Sequence, residues 1–272
     1  MSITIGFIGY GNMGQAIAEG IVNVGQVKRC DVFVADVDPE KEKIAHMKMG
    51  FVVGLSPKQI ACKADVLVLA VKPNQYEEVI DGLKREIGKG TIVVSIAAGL
   101  AIEVLERYFD KPVKIVRTMP NTPAMVGAGM TAIVPNVNMR TADTELIQEI
   151  FSSFGSAEIV DETLIDAVVV TSGSSPAYVY MMIEAMIQGG IDEGMTREVA
   201  TRFVSQAVYG AAKMVIETQE LPDDLRDAVC SSGGTTIEAV NYLKDNDFDV
   251  TVKGAMNACA RRSREMSKLM EN

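Results

Sequence analysis

Histidine is almost missing from the sequence: His46 is the only one among 272 residues. It stands in a Lys- and Glu-rich stretch that reads as a solvated helix face, so imidazole chemistry has little to build on. The four cysteines (Cys30, Cys62, Cys230 and Cys259) are scattered, with no Cys-x-x-Cys pair and no histidine nearby. That excludes a zinc site of the usual spacing and a disulfide framework, and no metal is expected. Cys230 borders a glycine pair, yet without a histidine it lacks the base that a thiol nucleophile requires. Positive charge is also in deficit, 26 Lys and Arg against 36 Asp and Glu, for a formal net charge of −10. A nucleic-acid partner is therefore not expected, because phosphate neutralisation needs clustered cations. The one basic cluster, Arg261, Arg262 and Arg264, reads as a helix end complementing its dipole. No apolar run reaches the ~18 residues of a membrane span, and no basic-then-apolar leader precedes the first strand. These absences predict a soluble, cytoplasmic protein without metal, membrane or nucleic-acid partner.

What is present is a change of pattern along the chain. Ile3–Ile8, Val32–Ala35, Asp65–Val71, Thr91–Ile96 and Val113–Thr118 are short runs rich in Val and Ile. Stretches of helical periodicity such as Met13–Val24 and Gln75–Ile87 separate them. Near-continuous apolar strands of this kind are buried on both faces, as in a parallel sheet covered by helices. Met130–Val134 and Glu158–Val160 extend the sheet at one edge. After Asp161 the strand signal ends, and the rest reads as helices broken at Gly189-Gly190, Leu221-Pro222 and Gly233-Gly234. The expected fold class is α/β: a doubly wound, Rossmann-type, mostly parallel sheet over residues 1–161, then an all-α domain over 162–272. Within the latter, Ala177–Ile187 has Glu184 as its only charged residue. A helix apolar on every side must be buried on every side, which predicts a second subunit as cover and a homodimer.

Gly9-Tyr-Gly-Asn-Met-Gly14 follows the first strand directly and opens the first helix. In that context the glycines predict a dinucleotide site: Gly9 for the tight turn, Gly11 for approach of a pyrophosphate, Gly14 for packing of helix on strand. Tyr10, Asn12 and Met13 complete the loop. Asp36 closes the second strand about 20 residues further on, where a carboxylate can accept hydrogen bonds from the adenosine ribose. No Arg or Lys directly follows Asp36, and the nearest, Lys41 and Lys43, are a turn or more away. Asp36 therefore points to NADH.

Near the other end, Ser231-Ser-Gly-Gly-Thr-Thr-Ile237 runs straight into an apolar-periodic segment. Free N–H groups, the helix dipole and two hydroxyls make such a helix start a natural anion site. The surrounding stretch, Pro222 to Lys244, resembles the signature of the pyrroline-5-carboxylate reductases, which finish proline synthesis. Ala70-Val-Lys-Pro73, Ser95-Ile-Ala-Ala-Gly99, Met119-Pro-Asn-Thr-Pro123 and Ser172-Gly-Ser-Ser-Pro-Ala-Tyr178 support the resemblance, which spans almost the whole chain.

The resemblance implies reduction of 1-pyrroline-5-carboxylate to L-proline by hydride transfer from NAD(P)H, with NADPH as the family's usual donor. It implies that the nicotinamide half lies by Val71, Lys72 and Ala98, and that Thr235 and Thr236 hold the substrate with Glu162 nearby. The anion at Gly233, Gly234, Thr235 and Thr236 would be the carboxylate of a small cyclic imino acid. Backbone N–H groups of Gly234, Thr235 and Thr236 would bind it, and the Thr236 hydroxyl would face the ring nitrogen as the catalytic group. Interlocked helical domains would form the dimer, and dimers would assemble in rings of five, a decamer. The chain departs from the family pattern at Ser232, where Pro is usual, and at Ser175, where Gly is usual. Two other readings compete. A β-hydroxyacid dehydrogenase would need a lysine on the first long helix, and residues 162–190 contain none. A non-catalytic nucleotide sensor would use both anion sites without turnover.

Overall fold

The structure, a computed structural model, describes residues 3–23, 25 and 27–271. Seven strands form one sheet: β1 Ile5–Ile8, β2 Val32–Ala35, β3 Val66–Leu69, β4 Ile92–Ser95, β5 Lys114–Met119, β6 Gly129–Pro135 and β7 Gly155–Ile159. Their spatial order is β2-β1-β3-β4-β5-β6-β7. The first five are mutually parallel, β6 runs antiparallel to β5, and β7 lies parallel to β6. Alternation along the strands sorts side chains into two layers. Ile5, Phe7, Val32, Val34, Val66, Val68, Ile92 and Val94 face one core. Ile8, Ala35, Leu67, Leu69 and Val93 face the other. Both faces are apolar because both are covered, which is why these strands read as continuous hydrophobic runs.

Helix α1 (Asn12–Asn23) packs on the first layer; of the predicted Met13–Val24 segment, Val24 lies outside the described residues. Then come α2 (Pro39–Ile44), α3 (Pro57–Lys63), α4 (Tyr76–Leu83), α5 (Ile102–Arg107) and α6 (Thr141–Ser152). Local chemistry sets their starts. Asp38 caps α2 by accepting from the Glu40 N–H at 3.0 Å, and Pro39 pre-forms the first turn. Ser56 and Gln59 exchange side-chain and backbone bonds at the head of α3, a reciprocal cap. Ile60, Ile80, Leu83, Val104 and Leu105 from α3, α4 and α5 fill the second layer.

The chain divides into two compact units, one reaching to Ser174 and regaining the chain from Cys259 onward, the other Ser175–Ala258. The sequence reading put the division at Asp161/Glu162 and gave all that follows to the helical domain. Packing explains the difference. Ile165 of α7 (Ile165–Val168) joins Ala132 and Val134 in a small core of the first unit. A π-helical turn, Val169–Gly173, follows α7. The last helix, α12 (Phe248–Glu271), ends in the first unit, where the Ser263 hydroxyl donates to Asp166 Oδ1 at 2.6 Å.

The second unit contains α8 (Ser175–Asp192), α9 (Arg197–Thr218), α10 (Pro222–Val229), α11 (Thr235–Asp245) and the start of α12. The break expected at Gly189-Gly190 is absent: α8 runs through both, and the chain turns at Gly194, with φ of +96°. Gly190 serves packing instead, since a Cβ there would stand 3.2 Å from the Ala200 Cβ. Breaks do fall before Pro222 and at Gly233-Gly234. Only Ile187 and Ala200 are buried in this unit. Along α8, Tyr180 is 58% and Met181 75% exposed in the single chain.

Candidate active site

In the order β2-β1-β3 the chain leaves β1 to one side for β2 and crosses to the other for β3, the switch point at whose strand carboxyl ends open α/β sheets bind ligands. Gly9 leaves β1 with φ of +95°, and a Cβ on it would stand 2.5 Å from the Ala70 carbonyl oxygen just past β3. Only glycine meets both demands. Gly14 is nearly as confined, its Cβ position lying 2.9 Å from the Gly9 oxygen and 3.0 Å from the Ala70 Cβ. Gly11 differs: nothing lies within 4 Å of where its Cβ would be. The loop is thus crowded toward the protein and open toward the crevice. Asn12 is exposed at the head of α1, Met13 packs against the core, and no acid stands in the first turn of α1. A helix start with free N–H groups, no competing carboxylate and an open glycine fits a pyrophosphate.

The Tyr10 N–H donates to Asp36 Oδ2 at 2.6 Å, and the Asp38 N–H donates to Asp36 Oδ1 at 2.9 Å. Only 5% of the Asp36 side chain is exposed, and Lys41 Nζ stands 3.5 Å from Oδ1. The carboxylate foreseen as a ribose acceptor is thus first a brace for the glycine loop. The lysine set aside in the sequence as a turn away folds back onto it. The Tyr10 ring packs edge-on to Phe51. Burial, and then the nearby Glu19 carboxylate, push the Tyr10 phenol pKa upward, so it stays protonated at neutral pH.

Val71 and Ala98 are half-buried and Lys72 is exposed. They follow Leu69 and Ser95, the paired last residues of β3 and β4, so all three lie just beyond the strand ends. Beneath them runs a buried polar chain that the sequence reading did not single out. The Tyr76 hydroxyl donates to the Leu69 oxygen, the Ser95 hydroxyl donates to the Tyr76 oxygen at 3.2 Å, and the Ala97 N–H donates to Ser95 Oγ at 3.4 Å. The Thr118 hydroxyl closes on the Ser95 oxygen at 3.1 Å.

Glu162, expected beside the substrate, has internal partners: its Oε1 accepts from the Arg117 guanidinium and from the Ile102 N–H, each at 2.8 Å. It ties buried Arg117 on β5 to the first residue of α5. Asn121 is a second brace missed by sequence reading. It accepts from the Met130 N–H at 2.9 Å and donates to the Ser172 oxygen at 3.1 Å, joining two of the quoted motifs. His46 is exposed, as expected, and its Nδ1 faces the Phe51 oxygen at 3.0 Å. Among the described residues no group of three or more His, Cys, Asp or Glu could hold a metal ion, and no helix is long and apolar enough to cross a membrane.

In the second unit, Gly233 turns the chain with φ of +69° and Gly234 precedes α11 in an extended conformation, without any side-chain cap on the helix. Thr235 and Thr236 occupy the first two helical positions, exposed. The Gly234 N–H donates to the Ser231 oxygen at 3.0 Å, which corrects the expected donor set. The free first-turn donors are one residue further on, at Thr235, Thr236 and Ile237.

The family described as pyrroline-5-carboxylate reductase dimerisation matches residues 162–266. The family described as NADP oxidoreductase, coenzyme F420-dependent, matches residues 4–99. A pyrroline-5-carboxylate reductase of Escherichia coli strain K12 is 45% identical over 98% of this chain and 100% of its own length. One from Methanosarcina acetivorans is 38% identical over 97% of this chain and 98% of its own. The chain belongs to the pyrroline-5-carboxylate reductase family. Two solved structures of family members superpose on nearly all of it. The reductase of Coxiella burnetii gives a TM-score of 0.90 at 33% identity, covering 98% of this chain and 99% of that one. The Plasmodium falciparum pyrroline carboxylate reductase, solved with NADP bound, gives 0.88 at 33% identity, covering 97% and 98%.

Proposed function

We propose that this protein reduces 1-pyrroline-5-carboxylate to L-proline, drawing the hydride from NAD(P)H, as the last step of proline biosynthesis. The observation that carries the reading is end-to-end identity of 45% with a reductase of that name, in a chain whose glycine loop is crowded behind and open in front. The dinucleotide, when bound, supplies a hydride to the C=N carbon of the ring. The chain's own residues hold and orient. The Gly9–Gly14 loop and the first turn of α1 take the pyrophosphate, and Val71, Lys72 and Ala98 flank the nicotinamide half. N–H groups of Thr235, Thr236 and Ile237 take the substrate carboxylate, with Gly233 and Gly234 shaping the turn before them. The Thr236 hydroxyl faces the ring nitrogen, which is protonated on arrival or takes its proton from solvent through that hydroxyl. Glu162 acts behind the site, fixing Arg117 and the head of α5. Positioning of two reactants in this manner can lower a barrier by ~7–11 kcal/mol.

For the cofactor, we infer modest discrimination. Asp36 disfavours the 2′-phosphate of NADPH, and Lys41 beside it offsets part of that charge. The assembly we infer is a homodimer through the helical unit, with further association into rings of five dimers, working in the cytoplasm. Support comes from the match to a dimerisation family and from a helical unit whose apolar side chains lack cover in one chain. Oxidation of NADH or NADPH dependent on pyrroline-5-carboxylate, with proline as product, tests the reading. Cofactor binding without turnover would favour the sensor instead.

A further inference from the structure

Tyr76 is fully buried near the start of α4, among Leu69, Ile80 and Val93 in the second core layer. A phenol is an unusual choice there, because phenylalanine would fill the same space without a polar atom to satisfy. What the hydroxyl does is local. The β3–β4 register ends at Leu69 and Ser95, and just there the Tyr76 hydroxyl bridges the strands, donating to the Leu69 oxygen and accepting from Ser95 Oγ at 3.2 Å. Ser95 Oγ in turn accepts from the Ala97 N–H at 3.4 Å. Burial pushes the Tyr76 pKa up to about 12, so the bridge keeps its proton at any physiological pH. The chain leaving one side of the bridge is Ala70-Val71-Lys72, and the chain leaving the other is Ile96-Ala97-Ala98. Ala70, against which Gly9 and Gly14 are seated, is tied to β1 independently of this bridge, its N–H donating to the Ile8 oxygen at 2.8 Å.

We propose that Tyr76, acting through Ser95, is a positioning residue for the nicotinamide half of the cofactor: its hydroxyl sets the separation of the β3 and β4 ends on which Val71 and Ala98 are carried. The inference rests on the cofactor placement given under Proposed function. It specifies one half of the dinucleotide, because the pyrophosphate end is held by the β1 loop and α1 rather than by this bridge.

Tyr76→Phe removes one oxygen and keeps the packing. The test is titration calorimetry of purified wild type and variant with NADH and with ADP-ribose, which lacks the nicotinamide, alongside steady-state kinetics. Positioning predicts a Kd for NADH weakened about fivefold, an unchanged Kd for ADP-ribose, and a kcat lowered about tenfold to a hundredfold. A purely structural hydroxyl would lower the melting temperature while leaving both affinities alone, or weaken both equally, and either result would overturn the inference. Ser95→Ala, measured in the same way, must reproduce the split between the two ligands; it also serves if Tyr76→Phe does not fold. A wild type that binds ADP-ribose but never oxidises NAD(P)H with pyrroline-5-carboxylate overturns the functional reading itself. An active wild type whose Tyr76→Phe variant matches it in every measurement overturns only the role of Tyr76.

Discussion

Replacing Asp36 by Ser should change which cofactor the enzyme prefers, and the structure gives the size of the effect. The carboxylate is held in the loop by two backbone N–H groups, with Lys41 Nζ 3.5 Å from one oxygen. A 2′-phosphate at ~4 Å would meet a repulsion of about 1 kcal/mol in water and about 4 kcal/mol at an effective dielectric of 20. With 5% of Asp36 exposed the higher figure is the closer, but Lys41 cancels a large part of it. A residual of about 1 kcal/mol corresponds to roughly a fivefold preference for NADH. Asp36→Ser removes the whole of the carboxylate's repulsion and leaves Lys41 unopposed, so it should move the ratio of kcat/KM values toward NADPH by well over that fivefold, past parity. Lys41→Met should move it a similar distance the other way. Ser cannot replace both bonds to the loop, so KM for the two cofactors should rise together in Asp36→Ser; the ratio isolates the charge effect from that shared loss. The assay is initial-rate kinetics with both cofactors at fixed ionic strength. Ratios unchanged in both variants, or a shift toward NADPH in Lys41→Met, would refute the electrostatic argument.

Thr236→Ala should lower kcat/KM by roughly tenfold to a hundredfold, the loss of one hydrogen bond of ~1–3 kcal/mol to the ring nitrogen, with cofactor affinity intact; wild-type kinetics would remove the assignment. With Ala177–Ile187 buried between subunits as proposed, Met182→Asp should place an unpaired charge there and abolish the dimer, which sedimentation will read directly. An active wild-type monomer would defeat the premise. Asp143, whose side chain is 10% exposed, is held well below the usual carboxylate range, first by the Arg140 guanidinium and then by the Lys114 ammonium against its burial. A depressed folded-state pKa gives stability that is complete above the unfolded value near ~4 and is lost as pH falls below it. Asp143→Asn should accordingly lower the melting temperature by a constant margin above about pH 5, a margin that narrows below about pH 4. A margin independent of pH across that range would show that the ion pairs are not its source.

The first five strands were legible because each is a short Val- and Ile-rich run buried on both faces, whereas β7, Gly155–Ile159, is mostly exposed and only its last residues carried a signal. Strand direction was not: the pattern of Met130–Val134 is the same whether β6 runs with β5 or against it. The nucleotide loop was readable in detail, since glycines at fixed offsets answer backbone demands. Its electrostatics were not, because Lys41 reaches Asp36 only once Asp38 and Pro39 turn the chain into α2. Likewise Thr235 and Thr236 were marked by composition, whereas the engaged Gly234 N–H depends on how Ser231 folds back. The Tyr76 bridge had one faint signal, a tyrosine soon after an apolar strand. Only the register of two strands distant in sequence shows that it spans their ends. Gly189 and Gly190 misled in the other direction, since a glycine pair marks a turn or a close helix contact equally well until a neighbour such as Ala200 is seen.

In the homodimer proposed above, a helical unit that encloses only Ile187 and Ala200 within one chain gains most of its interior from its copy. Its folding is then a second-order event, and the free energy that holds it depends on how much protein is present. Each tenfold dilution removes ~1.4 kcal/mol from a two-chain assembly. The sheet unit, with two filled layers of its own, carries no such dependence. Newly made chains would therefore hold a finished nucleotide crevice before they hold a finished α11, and the rate at which catalysis appears after synthesis should follow the square of chain concentration.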